Sequence, residues 1–253
     1  MTLLVEAPAG RHFAQFHRGI DALTDSAFVF LEAGLRQGNS LLIIAPAQRV
    51  EQLFDRLATG RFHPQGLLDS GQLAVIGSTT IIDTLSANGR TEAARFRGLL
   101  GPVLSQLSPY GRGTRIYAEI ASALWQAGET DAAIRLEDLW NVLADAYTFS
   151  LFCGYTMDTQ CEHTYSAPLE ELGRTHSDIL GSPDDEQFGV ALDRASRELF
   201  GISLTQMAGV ARRDGTRRFP SGQRTMLWVK RNLPMSTKQL VERARQYFSA
   251  PGS

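Results

Sequence analysis

Lysine is almost absent from this sequence of 253 residues, which contains only Lys230 and Lys238. A phosphate-binding loop of the GxxxxGK[ST] type needs a lysine to reach the phosphates, and the sequence contains no such motif. It also lacks GxSxG, and no GxGxxG follows a predicted strand. These absences argue against a P-loop ATPase, a dinucleotide-binding enzyme and a serine hydrolase. We therefore expect no catalytic residues, no cofactor and no enzyme activity.

Cysteines and long apolar runs are also scarce. Cys153 and Cys161 are too few for a disulfide framework. No segment approaches the roughly 18 to 20 apolar residues of a membrane span, and residues 1–12 lack the basic flank and apolar run of a secretory signal. We expect a soluble, cytoplasmic protein with reduced cysteines and no membrane contact.

The net charge of −2 hides an uneven distribution of charged residues. Residues 1–188 contain 13 arginines and 23 acidic residues, whereas residues 189–253 contain 12 basic and 4 acidic residues. The first segment is therefore strongly acidic and the second strongly basic, which suggests two functional segments. The basic segment is suited to nucleic acid, to another anionic partner or to the acidic part of its own chain.

Short apolar runs alternate with longer segments of helical period, a pattern typical of a parallel sheet covered by helices. The runs that predict strands are at 12–17, 40–46, 72–77, 114–120 and 149–155. We predict an α/β domain over residues 1–158, with a three-layer, mostly parallel sheet. Turn residues then predict a connector over 159–187, and a small basic all-α segment follows over 188–253.

Candidate ligand-binding residues lie mainly near the ends of the predicted strands, because ligands of open α/β sheets bind beyond the carboxyl ends of the strands. These candidates are His12, Gln15, Phe16, His17, Pro46, Glu119, Trp125, Glu137 and Tyr155.

Glu119 follows an apolar strand, where an unpaired carboxylate would cost several kcal/mol. We therefore expect it to have a definite partner. That partner is either a structural one, namely Arg115, Arg135 or a histidine, or a ligand.

The sequence does not predict a metal site. His12 and His17 are five residues apart, which places them on opposite faces of a strand. The spacing of Cys153, Cys161, His163 and His176 matches no common zinc motif. In its apolar strand, Cys153 is predicted to be a buried, inert thiol. Trp125 and Trp140 fit core packing or the wall of an apolar pocket.

Several segments together resemble the MEDS family, a group of sensory domains named from methanogens, methylotrophs and a dichloromethane-responsive regulator. The resemblance extends over about residues 12–155. It is carried by HFAQFH, by FLEAGLRQGNSLLIIAP, by TRIYAEIASALWQAG, and by AIRLEDLWNVL with FSLFCGY. The sequence departs from the family pattern at His17, where the family usually has Tyr, and at Ala118, where it often has Gly.

The resemblance implies a fold like that of the RecA and KaiC ATPases without their phosphate loop. It also implies a role in sensing small, hydrocarbon-derived molecules. We accordingly expect a signal-transduction protein that binds a small ligand, which can be apolar, at the strand ends and signals through its basic C-terminal helices to a regulatory partner. We expect a homo-oligomer, most simply a dimer.

Two alternatives remain. In the first, the chain is a transcriptional regulator that binds DNA through its basic segment. In the second, it is a degenerate nucleotide-binding domain. The side chains predicted to contact DNA or a protein partner are Arg212, Arg213, Arg217, Arg218, Arg224, Lys230 and Arg231.

Overall fold

The computed structural model describes residues 2–86, 92–107, 113–210 and 218–249. The strands are β1 (His12–His17), β2 (Ser40–Ala45), β3 (Leu73–Gly77), β4 (Thr114–Ala118), β5 (Ser150–Thr156) and β6 (Asp178–Leu180). The helices up to β5 are α1 (Thr2–Glu6), α2 (Ile20–Arg36), α3 (Ala47–Thr59), α4 (Pro64–Asp69), α5 (Ser78–Ser86), α6 (Glu92–Leu107), α7 (Ile120–Gln126) and α8 (Thr130–Ala144). After β5 come α9 (Ala167–Thr175), α10 (Pro183–Phe200), α11 (Leu204–Val210), α12 (Ser221–Asn232) and α13 (Thr237–Ser249).

The strands form an all-parallel sheet in the order β3-β2-β4-β5-β1-β6. The predicted α/β class with a C-terminal helical segment is therefore confirmed. Every residue of β1, β2 and β4 is buried, as expected for parallel strands with helices on both faces.

Alternation of side chains along the strands assigns helices to opposite faces of the sheet. Phe13 of β1 and Phe152 of β5 stack at 5.4 Å between ring centroids, and both contact Phe30 of α2. On the other face, Phe149, just before β5, packs against Trp140 of α8 at 6.1 Å. Trp140 is buried, so core packing is the correct interpretation for this tryptophan.

Contacts divide the chain into two compact units. The first unit contains Met1–Ala14 and Gly19–Thr156, and the second contains Gln15–Arg18 and Met157–Ser253. Within the second unit, α10 packs against α12 and α13, and α11 packs against α12. Gly189 and Gly222 lie at the close approach of α10 and α12, where a Cβ added to Gly222 would be 3.0 Å from the Cα of Gly189.

The predicted connector over residues 159–187 contains regular structure. It contains a 3-10 turn at Glu162–Thr164, helix α9, strand β6 and the start of α10. The turn residues that suggested a connector lie where these elements begin. Pro168 is in the first turn of α9, and Ser182 is the N-cap of α10, where it forms a capping box with Asp185.

Within the described ranges, no helix is both long and apolar enough to cross a membrane. The longest helix of the described residues, α10, has 18 residues, and several of them are charged.

Candidate functional site

A cavity of about 210 Å³ lies at the carboxyl ends of three parallel strands of the first unit. Pro46 directly follows β2, Glu119 directly follows β4, and Thr156 ends β5. All three line the cavity, which we call the strand-end cavity. Its polar wall is completed by Gln48, Arg49, Gln52, Ser122 and Gln126. This is the position at which open α/β sheets bind ligands.

Glu119 is held by two donors that bind the same carboxylate oxygen. Arg49 of α3 donates from Nε to Oε1 at 2.8 Å, and the Tyr117 hydroxyl donates to Oε1 at 2.6 Å. The side chains of Arg49 and Glu119 are only 5% and 9% exposed, so this is a buried ion pair. Arg49 is itself positioned by Thr24 and Gln52, which accept hydrogen bonds from its Nη1.

Burial controls the protonation of this group. It raises the pKa of Glu119 above its ordinary value, although the hydrogen bond from Tyr117 and the charge of Arg49 oppose that rise. Burial also raises the pKa of Tyr117, and the neighbouring Glu119 carboxylate adds to this rise. Tyr117 is therefore a protonated donor at neutral pH.

The second oxygen of Glu119 is available to a ligand. Oε2 accepts no hydrogen bond from a described residue, and it is not fully enclosed by protein atoms. The opposite wall is fixed by backbone contacts, because Ser122 Oγ accepts from the Thr156 amide at 3.0 Å and Gln126 donates to the Thr156 carbonyl at 3.3 Å. The cavity therefore presents an accessible hydrogen-bond acceptor in a held position.

A second group of polar side chains lies inside the first unit. Glu137 of α8 is completely buried, and its carboxylate contacts the side chains of His12, Cys153 and Tyr155. His12 Nε2 is 3.1 Å from its Oε2, Cys153 Sγ is 3.3 Å from the same oxygen, and the Tyr155 hydroxyl bonds to Oε1. His12 Nδ1 is 2.9 Å from Oδ1 of Asn141. We call His12, Glu137 and Cys153 the buried triad.

Secondary structure explains why these side chains meet. Cys153 and Tyr155 are two apart on β5 and share one face of the sheet, opposite to Phe152. Glu137 and Asn141 are four apart on α8 and lie one above the other on the helix. Burial raises the pKa of both Cys153 and Tyr155, and Glu137 adds to each rise, so the thiol and the phenol are protonated donors.

Both groups of residues lie in a segment that matches a known family. The family model of the MEthanogen/methylotroph, DcmR Sensory domain (MEDS) matches residues 11–177, more than half of the chain. The chain belongs to the MEDS family. No curated protein matches the chain.

The MEDS match confirms the resemblance read from the sequence and extends beyond it. The resemblance ended near Tyr155, whereas the match continues through α9 to residue 177. The strand-end cavity and the buried triad both lie inside the matched range. Helices α10 to α13 lie outside it.

The residues predicted to bind a ligand fall into separate groups. Pro46 and Glu119 line the strand-end cavity of the MEDS domain. His12 and Glu137 belong to the buried triad, and Tyr155 bonds to Glu137 beside it.

The other four predicted residues have different surroundings. Trp125, on α7, is half-buried and does not line the strand-end cavity. Gln15, Phe16 and His17 are buried and are grouped with the second unit. In that unit Gln15 donates to the Gly181 carbonyl at 3.0 Å, and the ring of Phe16 packs against that of Phe219.

Glu119 has a definite partner, as predicted, but the residues suggested for it were wrong. Arg115 is buried and donates to the backbone carbonyls of Leu4 and Phe30, each at 3.0 Å. Arg135 lies on the surface, 3.9 Å from Glu92. The actual partner, Arg49, is separated from Glu119 by 70 residues, and its position near the start of the helix after β2 was the only signal in the sequence.

The predicted partner-binding arginines and lysine are only partly described. Arg212, Arg213 and Arg217 lie outside the described residues. Arg218 donates to the carbonyls of Arg174 and His176.

The remaining three of these side chains lie on α12. Arg224 has a buried Nε without a hydrogen-bond partner in the described part of the chain. Lys230 and Arg231 line a second cavity of about 540 Å³ in the second unit, where Arg231 pairs with Glu170. Arg218 and Arg231 are thus already bound to acceptors of their own unit.

Proposed function

We propose that this MEDS protein is a ligand-sensing regulator whose first unit binds a small polar molecule in the strand-end cavity. The observation that carries the proposal is the accessible Oε2 of Glu119, at the carboxyl ends of parallel strands. Membership of a family of sensory domains supports the regulatory role.

The chemistry of the cavity favours a small hydrogen-bond donor over an apolar molecule. About 210 Å³ is below the roughly 300 to 1,000 Å³ of sites for drug-sized ligands. The charges of Arg49 and Glu119 compensate each other, so the cavity has no surplus positive charge to attract an anion. A short amine, amide or alcohol would donate to Oε2 and contact the neighbouring glutamines.

We propose that the protein does not catalyse a reaction at this site. Among the described residues, the lining of the strand-end cavity includes no histidine, cysteine or lysine. Ser122 is engaged by the Thr156 amide, and Glu119 is fixed by Arg49 and Tyr117. A general base needs a reacting proton within hydrogen-bond reach, and this lining offers no paired nucleophile and base.

The test is a thermal-shift and NMR titration of the full chain with methylammonium, acetamide and ethylene glycol, and with acetate as the anionic comparison. We expect at least one of the three donors to raise the melting temperature and to shift resonances around Glu119. A ligand at 100 times its Kd stabilises by about 2.7 kcal/mol. Acetate should have no effect.

Glu119→Gln is the decisive variant, because it replaces an anionic acceptor by a neutral amide of the same size. We expect it to abolish the donor-induced shift. Glu51→Gln is the matched control, since Glu51 is an exposed carboxylate on α3. The proposal fails if none of the donors binds, or if both variants bind them as the original chain does.

We further propose that the second unit passes the signal to an anionic partner. The charge of residues 189–253 supports this role, since that segment contains 12 basic residues and only 4 acidic ones. Duplex DNA is the second candidate partner. DNA binding that weakens steeply with salt, and that Arg212→Ala, Arg213→Ala and Arg217→Ala together remove, would identify the transcriptional role.

A further inference from the structure

The buried triad brings three different metal-binding atoms to one point. His12 Nε2 and Glu137 Oε2 are 3.1 Å apart, Cys153 Sγ and Glu137 Oε2 are 3.3 Å apart, and Cys153 Sγ and His12 Nε2 are 3.4 Å apart. Imidazole, carboxylate and thiol therefore form a nearly equilateral triangle. The three residues come from β1, α8 and β5 of the first unit.

These separations match the edges of a tetrahedral zinc site. Zinc binds sulfur at about 2.3 Å, and nitrogen and oxygen at about 2.0 to 2.2 Å. With tetrahedral angles, these bond lengths place the ligand atoms roughly 3.3 to 3.6 Å apart. The triad is within a few tenths of an ångström of that spacing, so small side-chain shifts would suffice.

The ligand residues His12 and Glu137 each have a second polar atom, and that atom is hydrogen-bonded to a neighbouring side chain, as is usual in metal sites. Nδ1 of His12 lies 2.9 Å from Oδ1 of Asn141, an acceptor that would hold the ring hydrogen on Nδ1 when Nε2 binds a metal ion. Tyr155 holds the other oxygen of Glu137. Such outer contacts orient metal ligands and increase their affinity.

We propose that His12, Glu137 and Cys153 bind a Zn²⁺ ion. Nε2 of His12, Oε2 of Glu137 and Sγ of Cys153 all lie within 3.4 Å of one another, and each is an atom that can bind a metal ion. A shared proton would join only one pair of these atoms, whereas a divalent ion can bind all three. A thiolate with an imidazole ligand is a donor set suited to zinc. On binding, the Cys153 thiol proton leaves to solvent as the zinc–sulfur bond forms.

This site is separate from the proposed ligand site. Cys153 faces the α8 side of the sheet, whereas Tyr117, which holds Glu119, packs against Phe152 on the opposite side. Zinc binding is therefore expected in the Glu119→Gln variant as well. Failure of either proposal leaves the other standing.

The experiment titrates the full, metal-stripped chain with Co²⁺ and then displaces the cobalt with Zn²⁺. Cobalt bound to a thiolate gives a near-ultraviolet charge-transfer band, and four-coordinate cobalt gives intense visible bands. We expect both at one ion per chain, with loss of both on zinc addition. A folded chain that shows neither band and retains no zinc after dialysis would overturn the proposal.

The two cysteines provide a matched pair of variants. Cys153→Ser should abolish the charge-transfer band, whereas Cys161→Ser should retain it. The opposite result would assign the metal to Cys161 and contradict the proposal. If Cys153→Ser does not fold, Asn141→Ala provides the second test, because it removes the contact to His12 and leaves all three ligands in place. It should retain the band and weaken zinc affinity by about 10- to 100-fold. Unchanged affinity in Asn141→Ala would count against His12 as a ligand.

Discussion

Replacing Arg49 by methionine tests the arrangement that holds the strand-end cavity. The change keeps much of the buried side-chain volume and removes the hydrogen bonds to Glu119, Thr24 and Gln52. Glu119 then retains only the Tyr117 hydroxyl as a donor from the described residues. Breaking a buried ion pair on one side typically lowers the free energy of unfolding by about 3 to 5 kcal/mol. We expect a loss of that size at neutral pH.

The pH dependence of this loss follows from the pKa of Glu119. Burial raises that pKa in the folded state, so the group favours folding below its unfolded pKa, and this contribution is lost as the pH rises through the folded pKa. Removing Arg49 removes a charge that lowers the pKa, and the folded pKa rises further. The destabilisation by Arg49→Met should therefore shrink between about pH 7 and about pH 4, where carboxyl groups become protonated.

Urea unfolding provides the measurement, with fluorescence of the buried Trp140 as the reporter for the first unit. Arg49→Met, Glu119→Gln and the double variant form a double-mutant cycle. The double variant has no unpaired buried charge, and we expect it to be more stable than Arg49→Met alone. A loss below about 1 kcal/mol, the scale of surface pairs, would refute the buried-pair argument. So would a loss that is the same at both pH values.

Two further predictions concern close packing at a glycine and the side-chain cap of a helix. Gly154→Ala would place a methyl carbon 2.5 Å from Cδ1 of Leu23, and we expect a loss of about 1 to 3 kcal/mol in urea unfolding. Gly98→Ala, on α6 with open space around the added carbon, should instead stabilise by about 0.5 to 1 kcal/mol, and a loss there would contradict the steric argument. Ser182→Ala removes the side-chain cap of α10 and should cost about 0.5 to 2 kcal/mol in thermal unfolding. Ser166→Ala, at the N-cap of α9 without a side-chain cap bond, should cost less, and equal losses would argue against the capping box.

The fold could be predicted largely because its signals are local. The apolar run from Ser40 to Ala45 is buried along its whole length, and the helical stripe from Thr130 to Ala144 packs as expected. Strand β6 was missed because three residues, Asp178–Leu180, are too few to show a period. Helix α1 was missed for the same reason, since it has only five residues.

Residues of the strand-end cavity could be predicted from the sequence only when a single strand indicates where they lie. Pro46 and Glu119 could be placed near the strand-end cavity because each directly follows an apolar strand; that they bind a ligand stays a prediction. Arg49 was not identified as the partner of Glu119, because sequence spacing does not indicate which of 13 arginines in the acidic segment reaches a given carboxylate.

The sequence by itself determined the α/β class, the parallel strands, the missing phosphate loop and the family, because periodicity, composition and short motifs are properties of neighbouring residues. Only the tertiary structure decided which side chains meet. His12 and Cys153 are 141 positions apart, yet their Nε2 and Sγ atoms lie 3.4 Å from each other. Such a contact depends on strand order, since β1 and β5 are neighbours in the sheet although most of the first unit separates them in sequence. The order of strands is fixed by the packing of all the helices at once, and no single segment encodes it.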